Sequence, residues 1–426
     1  MDKNNSLNYK KTKIGLIPES WIFRQLREYC SLLTSGVSVN SGDRPIKNGE
    51  IGILKTSSVL NGVFYPNENK IILQEKELKR ARLNPVKNTL LISRMNTPEL
   101  VGACAFITET RTELFIPDRL WQAKFDSERI NARWLNCLLN TQYYKNQIKN
   151  RASGTSNSMK NISKPSFLGL FIPIPPLPEQ KRIAEILGTW DKAIETTQKL
   201  IDELKLRNKG LAQQLLTGKK RLKGFDGEWE EVQFSDVCNR LTRKNEELDD
   251  TVVTISAQKG FVKQEDYFSK RVASETLSGY YLIHNGEFAY NKSISNGYPM
   301  GAFKRLDNME KAVVTTLYIC FAVKDSVNSD FMKQFFEAGQ MTRNLMRIAQ
   351  VGGRAHGLLN ISISDFFSLK LKVPLLDEQM AITEILSNAE KETLLQQKKL
   401  DILKDQKKGL MQKLLTGKVR VKIEET

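Results

Sequence analysis

The chain has 426 residues, with 65 Lys plus Arg against 48 Asp plus Glu and a formal net charge of +17. That length supports two or three globular units, and 40% hydrophobic with 27% charged residues excludes both a single stapled mini-domain and disorder throughout. The excess positive charge points to an anionic partner, nucleic acid first, because a cationic surface gathers polyphosphate by releasing its counterions.

In chain order, β-rich runs at residues 53–58 and 252–256 precede the turns Asn61-Gly62 and Lys259-Gly260. Trp21, Trp121, Trp134 and Trp229 are flanked by alternating or helical apolar residues and read as core. Cys30, Cys104, Cys137, Cys238 and Cys320 lie far apart with no CxxC pair, so neither a disulfide framework nor a thiolate zinc site is indicated. A reducing, cytoplasmic location is expected. The apolar stretch at residues 168–177 is broken by Pro173, Pro175 and Pro176, so it neither spans a bilayer nor serves as a signal sequence, and no membrane partner is expected.

The chain is written twice. Residues 177–223 and 376–422 align without a gap at a constant offset of 199, with about half of the positions identical, and both copies close on Leu-Leu-Thr-Gly-Lys. The same offset pairs Asn161-Ile162-Ser163 with Asn360-Ile361-Ser362, Gly154 with Gly353, Phe167 with Phe366 and Pro175 with Pro374. Each half is therefore a variable domain followed by a constant helix.

In the first helix Ile183, Leu187, Trp190, Ile194, Thr197, Ile201, Leu204, Asn208, Leu211 and Leu215 recur at alternating steps of four and three, the seam of a coiled coil. The second helix presents Ile382, Leu386, Ala389, Thr393, Gln396, Leu400, Leu403, Lys407, Leu410 and Leu414 in phase with it. Gly218 and Gly417 stand where a left-handed residue would end each helix, giving about 38 residues and roughly 57 Å apiece. Antiparallel pairing sets Asn208 opposite Ala389, Thr197 opposite Leu400, Gln396 opposite Ile201 and Lys407 opposite Trp190, whose ring offers a cation–π contact. A parallel pair would stack Asn208 on Lys407 and Thr197 on Gln396, leaving buried polar groups unsatisfied at about 1 to 3 kcal/mol each.

The expected fold is α+β: two globular α/β domains separated by an antiparallel coiled coil of two long helices, with pseudo-two-fold symmetry. The domains divide as residues 1–175, 176–220, 221–374 and 375–422. A duplex shares that symmetry, and a ~57 Å rod corresponds to roughly 17 base pairs, so the helices would act as a ruler between two half-sites.

These residues resemble the specificity (S) subunits of type I restriction-modification systems. The marks are Pro175-Pro176-Leu177-Pro178-Glu179-Gln180, Leu215-Leu216-Thr217-Gly218, and the lead-in from Gly154-Thr155-Ser156 to Asn161-Ile162-Ser163. The second copy departs at Leu375-Leu376-Asp377-Glu378-Gln379 and at Gly352-Gly353-Arg354-Ala355-His356. The resemblance implies two target-recognition domains and a non-catalytic subunit without cofactor or metal. It further implies three kinds of partner: double-stranded DNA with a bipartite target, two copies of the modification (methyltransferase) subunit, and restriction (translocase/nuclease) subunits in the full complex.

Enzymatic chemistry finds little footing in the sequence. No GxxxxGK[ST] loop is present, Gly352-Gly353 lacks GxGxxG spacing, and no amino-methyltransferase Asn-Pro-Pro-aromatic run occurs. Pro117-Asp118 resembles the opening of a nuclease motif, but Gln122-Ala123-Lys124 lacks the second carboxylate that would hold a metal. His284 reads as a structural loop residue. A protein-binding scaffold and a self-sufficient DNA enzyme are the competing readings; the first would show no salt-dependent DNA affinity, and the second would methylate or cut alone.

Reading DNA needs cations and amides on loops that reach phosphates and base edges. In the first domain the candidates are Arg94 and Asn96, then Arg151, Ser156 and Lys160; in the second they are Asn291, Lys292 and Ser293, then Arg354 and His356. The basic runs at residues 219–223 and 418–422 either face phosphate or are solvated.

Overall fold

Two mostly buried runs, Leu120–Phe125 and Ile319–Val323, become central strands, each in its own half of the chain, with Lys124 the exposed member of the first. The computed structural model describes residues 8–154, 158–268, 276–351 and 357–423. The chain divides into two units, one formed by Met1–Thr197 with Lys399–Thr426 and the other by Gln198–Lys398.

In the first unit the strand order is Cys104–Phe106, Leu90–Ser93, Leu120–Phe125, Cys30–Ser35, with every neighbour antiparallel. One face packs Leu90, Ile92, Trp121 and Ala123 against the helix Ala132–Leu139. The other packs Leu91 and Leu120 against Leu54, Val59 and Ile116. Phe171–Ile174 returns antiparallel to Ile22–Gln25 just before the first long helix.

The second unit repeats this order: Ala302–Arg305, Phe288–Asn291, Ile319–Val323, Cys238–Leu241, again antiparallel throughout. Its core is richer in rings, with Phe234, Phe288, Phe303, Phe321, Phe336 and Phe366 in mutual contact. The α+β content is as the sequence predicts, but the α/β expectation for the individual domains needs correction. Their four-stranded sheets are antiparallel throughout, with parallel pairing in a short side ladder of the first unit, Leu114–Phe115 on Gly52–Leu54.

Two 39-residue helices follow the variable parts, Leu177–Leu215 and Leu376–Leu414. Every residue of both predicted seams is buried or half-buried. In the first unit Asp191 pairs with Lys407 and Glu179 with Arg420, so the two helical segments there run in opposite directions. In the second unit the Asn208 amide donates to Ala389 O at 2.8 Å and Thr393 Oγ1 at 3.0 Å, and Arg207 pairs with Glu392 at 2.7 Å, again in opposite directions. The expected Lys407 to Trp190 contact is not formed. A carboxylate one residue away, Asp191, takes the ammonium instead, as a full charge outcompetes a ring quadrupole. Gln396 is half-buried, and its Oε1 has no hydrogen-bond partner.

Gly218 (φ +68°) and Gly417 (φ +72°) end the helices in the left-handed conformation. A side chain at Gly417 would also meet Pro18 at 2.4 Å, and one at Gly218 would press on the Trp229 ring at 3.3 Å. Beyond these caps the basic runs do not simply face solvent. Arg420 makes a two-point bond to Glu179 (2.6 and 2.7 Å), which is 1% exposed and also accepts the Trp21 indole N–H at 3.1 Å. Arg221 does the same to Glu378 (2.8 and 2.7 Å), which is 3% exposed. The expectation of a phosphate-facing or solvated run is thus overturned at these two arginines, since a buried carboxylate needs a cation more than water does.

Candidate nucleic-acid interface

The final segment before each long helix draws the predicted loops together. In the first unit Met95–Asn96 pairs antiparallel with Lys160–Asn161, Ile162 N–H donates to Arg94 O at 2.9 Å, and Ser153 bridges Asn161 from the other side. In the second, Leu359–Asn360 pairs with Gln350–Val351, while Ser293 bridges Leu358 and Leu359 N–H donates to Lys292 O at 3.0 Å. Two chain segments about sixty residues apart thus become neighbours on one narrow ribbon.

The individual side chains differ in how free they are. Arg94 is half-buried, its Nε lacks a partner, and its backbone N–H is tied to Arg119 O at 3.0 Å beside the exposed Arg119 side chain. Lys292 is half-buried, and its side chain has no hydrogen bond or ion pair among the described residues. Asn96 is occupied locally, donating to Ser93 Oγ at 3.1 Å and accepting from Thr97 N–H at 2.9 Å. Lys160 donates to Gly154 O at 2.8 Å and Arg151 to Ser166 O at 3.2 Å, so both hold their own loops. Asn291 accepts from Ser293 N–H at 3.0 Å. Ser156, Arg354 and His356 lie outside the described residues. Arg119, beside Arg94 on this ribbon, carried no sequence signal because nothing in its neighbourhood repeats in the second half.

What fixes a capped helix of each head to the start of its long helix was also missed. Gln180, fully buried, accepts the Asn131 N–H at 2.8 Å and donates to Pro175 O and Arg129 O at 2.9 Å each. Gln379 accepts from Asn328 N–H at 2.7 Å and donates to Pro374 O at 2.8 Å. Asn131 and Asn328 are the N-caps of the helices Ala132–Leu139 and Ser329–Glu337. The Glu-Gln pair in each copy therefore performs two jobs: Glu holds an arginine past a helix end, and Gln fixes a capped helix to the first turn. The signal was available in the duplication, where Glu179, Gln180 and Arg221 recur at the same offset.

Four of the five thiols are buried, and burial raises them. Burial pushes Cys104 and Cys320 up to about 12 and Cys137 up to about 11, and raises Cys238 as well. His284 ends the strand Tyr281–His284, its Nδ1 3.0 Å from Arg243, a structural contact at a strand end rather than the loop expected.

Each half of the chain thus carries an antiparallel sheet and a two-segment ribbon ahead of a long helix. The family model described as type I restriction modification DNA specificity domain matches residues 18–206 and 226–405, and the chain belongs to this family of type I restriction-modification specificity subunits. It is 29% identical over 227 residues, 51% of each chain, to the type I restriction enzyme MjaVIII specificity subunit of Methanocaldococcus jannaschii. Against the EcoKI specificity subunit of Escherichia coli it is 20% identical over 398 residues, 86% of this chain and 82% of that one. The fold is similar to the crystal structure of a type I restriction-modification S subunit from M. genitalium, with TM-score 0.53 and 16% identity, covering 97% of this chain and 98% of that one.

Proposed function

We propose that this chain recognises a bipartite DNA target and is itself non-catalytic. Residues 1–175 and 221–374 are its two target-recognition domains, each reading a half-site through its ribbon. Residues 176–220 and 375–422 form an antiparallel coiled coil with approximate two-fold symmetry, which sets the unread spacer. In this reading the subunit acts in the cytoplasm and carries two modification subunits to the target, joined in the full complex by restriction subunits. Arg94 with Arg119, and Lys292 with Asn291 and Ser293, are the foremost DNA contacts; Asn96, Arg151 and Lys160 shape the first loop set, and Ser156, Arg354 and His356 remain assigned from sequence. The observation that carries the reading is that in each unit the first predicted loop is tied by backbone hydrogen bonds to the segment flanking the second, at Lys160–Ile162 in one and Leu358–Leu359 in the other.

The test is a duplex-binding titration of the chain with its modification subunits at several salt concentrations. Affinity falling with salt, together with a sequence-specific excess over random duplex, is expected. Replacing Arg94 should cost about 1 to 3 kcal/mol at one half-site only, and equal loss on unrelated sequences would reassign it to phosphate.

A further inference from the structure

The duplication makes each unit a control for the other, and one corner differs in charge. In the first unit Asp191 pairs with Lys407, and Cys137 feels Lys407, Asp191 and Arg133 together. The Arg133 guanidinium lies so near Gly188 that a Cβ there would come within 2.6 Å of Nη2. Two cations thus occupy the corner with one carboxylate.

At the offset of 199, Asp191 becomes Glu390, Lys407 becomes Asn208 and Gly188 becomes Ser387. Counted from the two N-caps, Arg133 becomes Asp330 and Cys137 becomes Gln334. Both cations are gone. Asp330 is taken by Arg305 at 2.6 Å, and the Asn208 amide is spent on Ala389 O and Thr393 Oγ1. Glu390 has no hydrogen bond or ion pair among the described residues, and the buried Gln334 Oε1 has no donor, its Nε2 going to Ser387 Oγ at 3.1 Å. Both groups line an open groove of about 850 Å³ within this unit. The nearby charges are engaged: Lys333 is bonded to Asp307 at 2.6 Å, and Glu337 to Lys304. Lys209, Lys219 and Arg343 stand elsewhere on the wall.

We propose that this groove receives a lysine or arginine side chain of the modification subunit, the partner named in the functional reading on which this inference rests. The corner is the Lys407 site without its lysine: Glu390 faces the groove, and Gln334 Oε1 is buried in its wall without a donor, where in the first unit a hydrogen-bonding cation is present. A carboxylate without a bonded cation disfavours a DNA phosphate at that corner, although cations stand elsewhere on the wall. The volume exceeds that of one side chain, so a helix or loop accompanies the cation, its carboxylates matching Lys209, Lys219 and Arg343.

The experiment titrates the full chain, and its Glu390→Gln and Asn208→Lys variants, against the purified modification subunit. Each variant is expected to weaken the complex at least about tenfold, the first by removing the acceptor and the second by supplying the missing ammonium from within. Glu390→Gln leaves the unfolding midpoint unchanged, since it breaks no bond. Unchanged affinity in both variants overturns the proposal, as does a Glu390→Gln effect confined to duplex binding. If the unmodified chain fails to bind the subunit at all, the functional reading falls, and this inference with it.

Discussion

The two units close the same clasp with unequal support. Glu179 receives both Arg420 and the Trp21 indole, whereas Glu378 receives Arg221 alone and the Trp229 indole nitrogen is buried without a partner. The duplication thus preserved the charge pair, which a buried carboxylate cannot do without, and let the indole hydrogen bond to that carboxylate lapse.

Removing the cation is the harshest way to separate the units. Arg221→Ala and Arg420→Ala should each cost about 3 to 5 kcal/mol in denaturant unfolding, because an uncompensated buried carboxylate is left behind. Arg221→Ala should cost more, as Glu378 has no indole to fall back on; equal losses would show that the Trp21 bond contributes nothing. Next come the helix ends. Leu414 and Leu215 are 3% and 1% exposed, each inside one unit's core, and truncation of either to Ala should cost about 3 kcal/mol. A near-neutral result would detach that helix end from the head it is packed into.

Smaller effects sharpen the contrast. Gln396→Leu should stabilise the second unit by about 1 kcal/mol, since it deletes a buried acceptor that bonds to nothing. The slightest change belongs to the first unit's surface, where the Arg44 guanidinium, helped by the Lys47 N–H, holds the Glu50 carboxyl down from 4.5 to about 2. A depressed carboxylate contributes stability above its unfolded value, and that contribution is lost as pH falls from 4.5 toward about 2. Arg44→Leu should therefore flatten the acid limb of the stability profile slightly, measured by unfolding midpoints across that range.

Much of this was legible in the sequence because periodicity and duplication are local signals. The long helices, their glycine ends and the Asn208 to Ala389 contact all follow from a seven-residue rhythm read against its copy. The Lys407 partner was not, because the contest between Trp190 and Asp191 depends on side-chain direction at adjacent positions. The loop regions were legible as regions, yet which of their residues are free was not: Asn96, Arg151 and Lys160 are occupied by backbone partners that only the folded loops supply. Charge runs misled for a related reason, since nothing in the run at residues 219–223 marks Arg221 as the member that turns inward.

Methylation mapping of DNA from cells carrying this subunit with its partner subunits tests the two-head reading most directly, with the Arg94→Ala variant alongside the unmodified chain. Two short defined tracts separated by a constant stretch of unread bases are expected, with the variant relaxed in one tract and unchanged in the other. A single contiguous target, or simultaneous relaxation of both tracts, would contradict it.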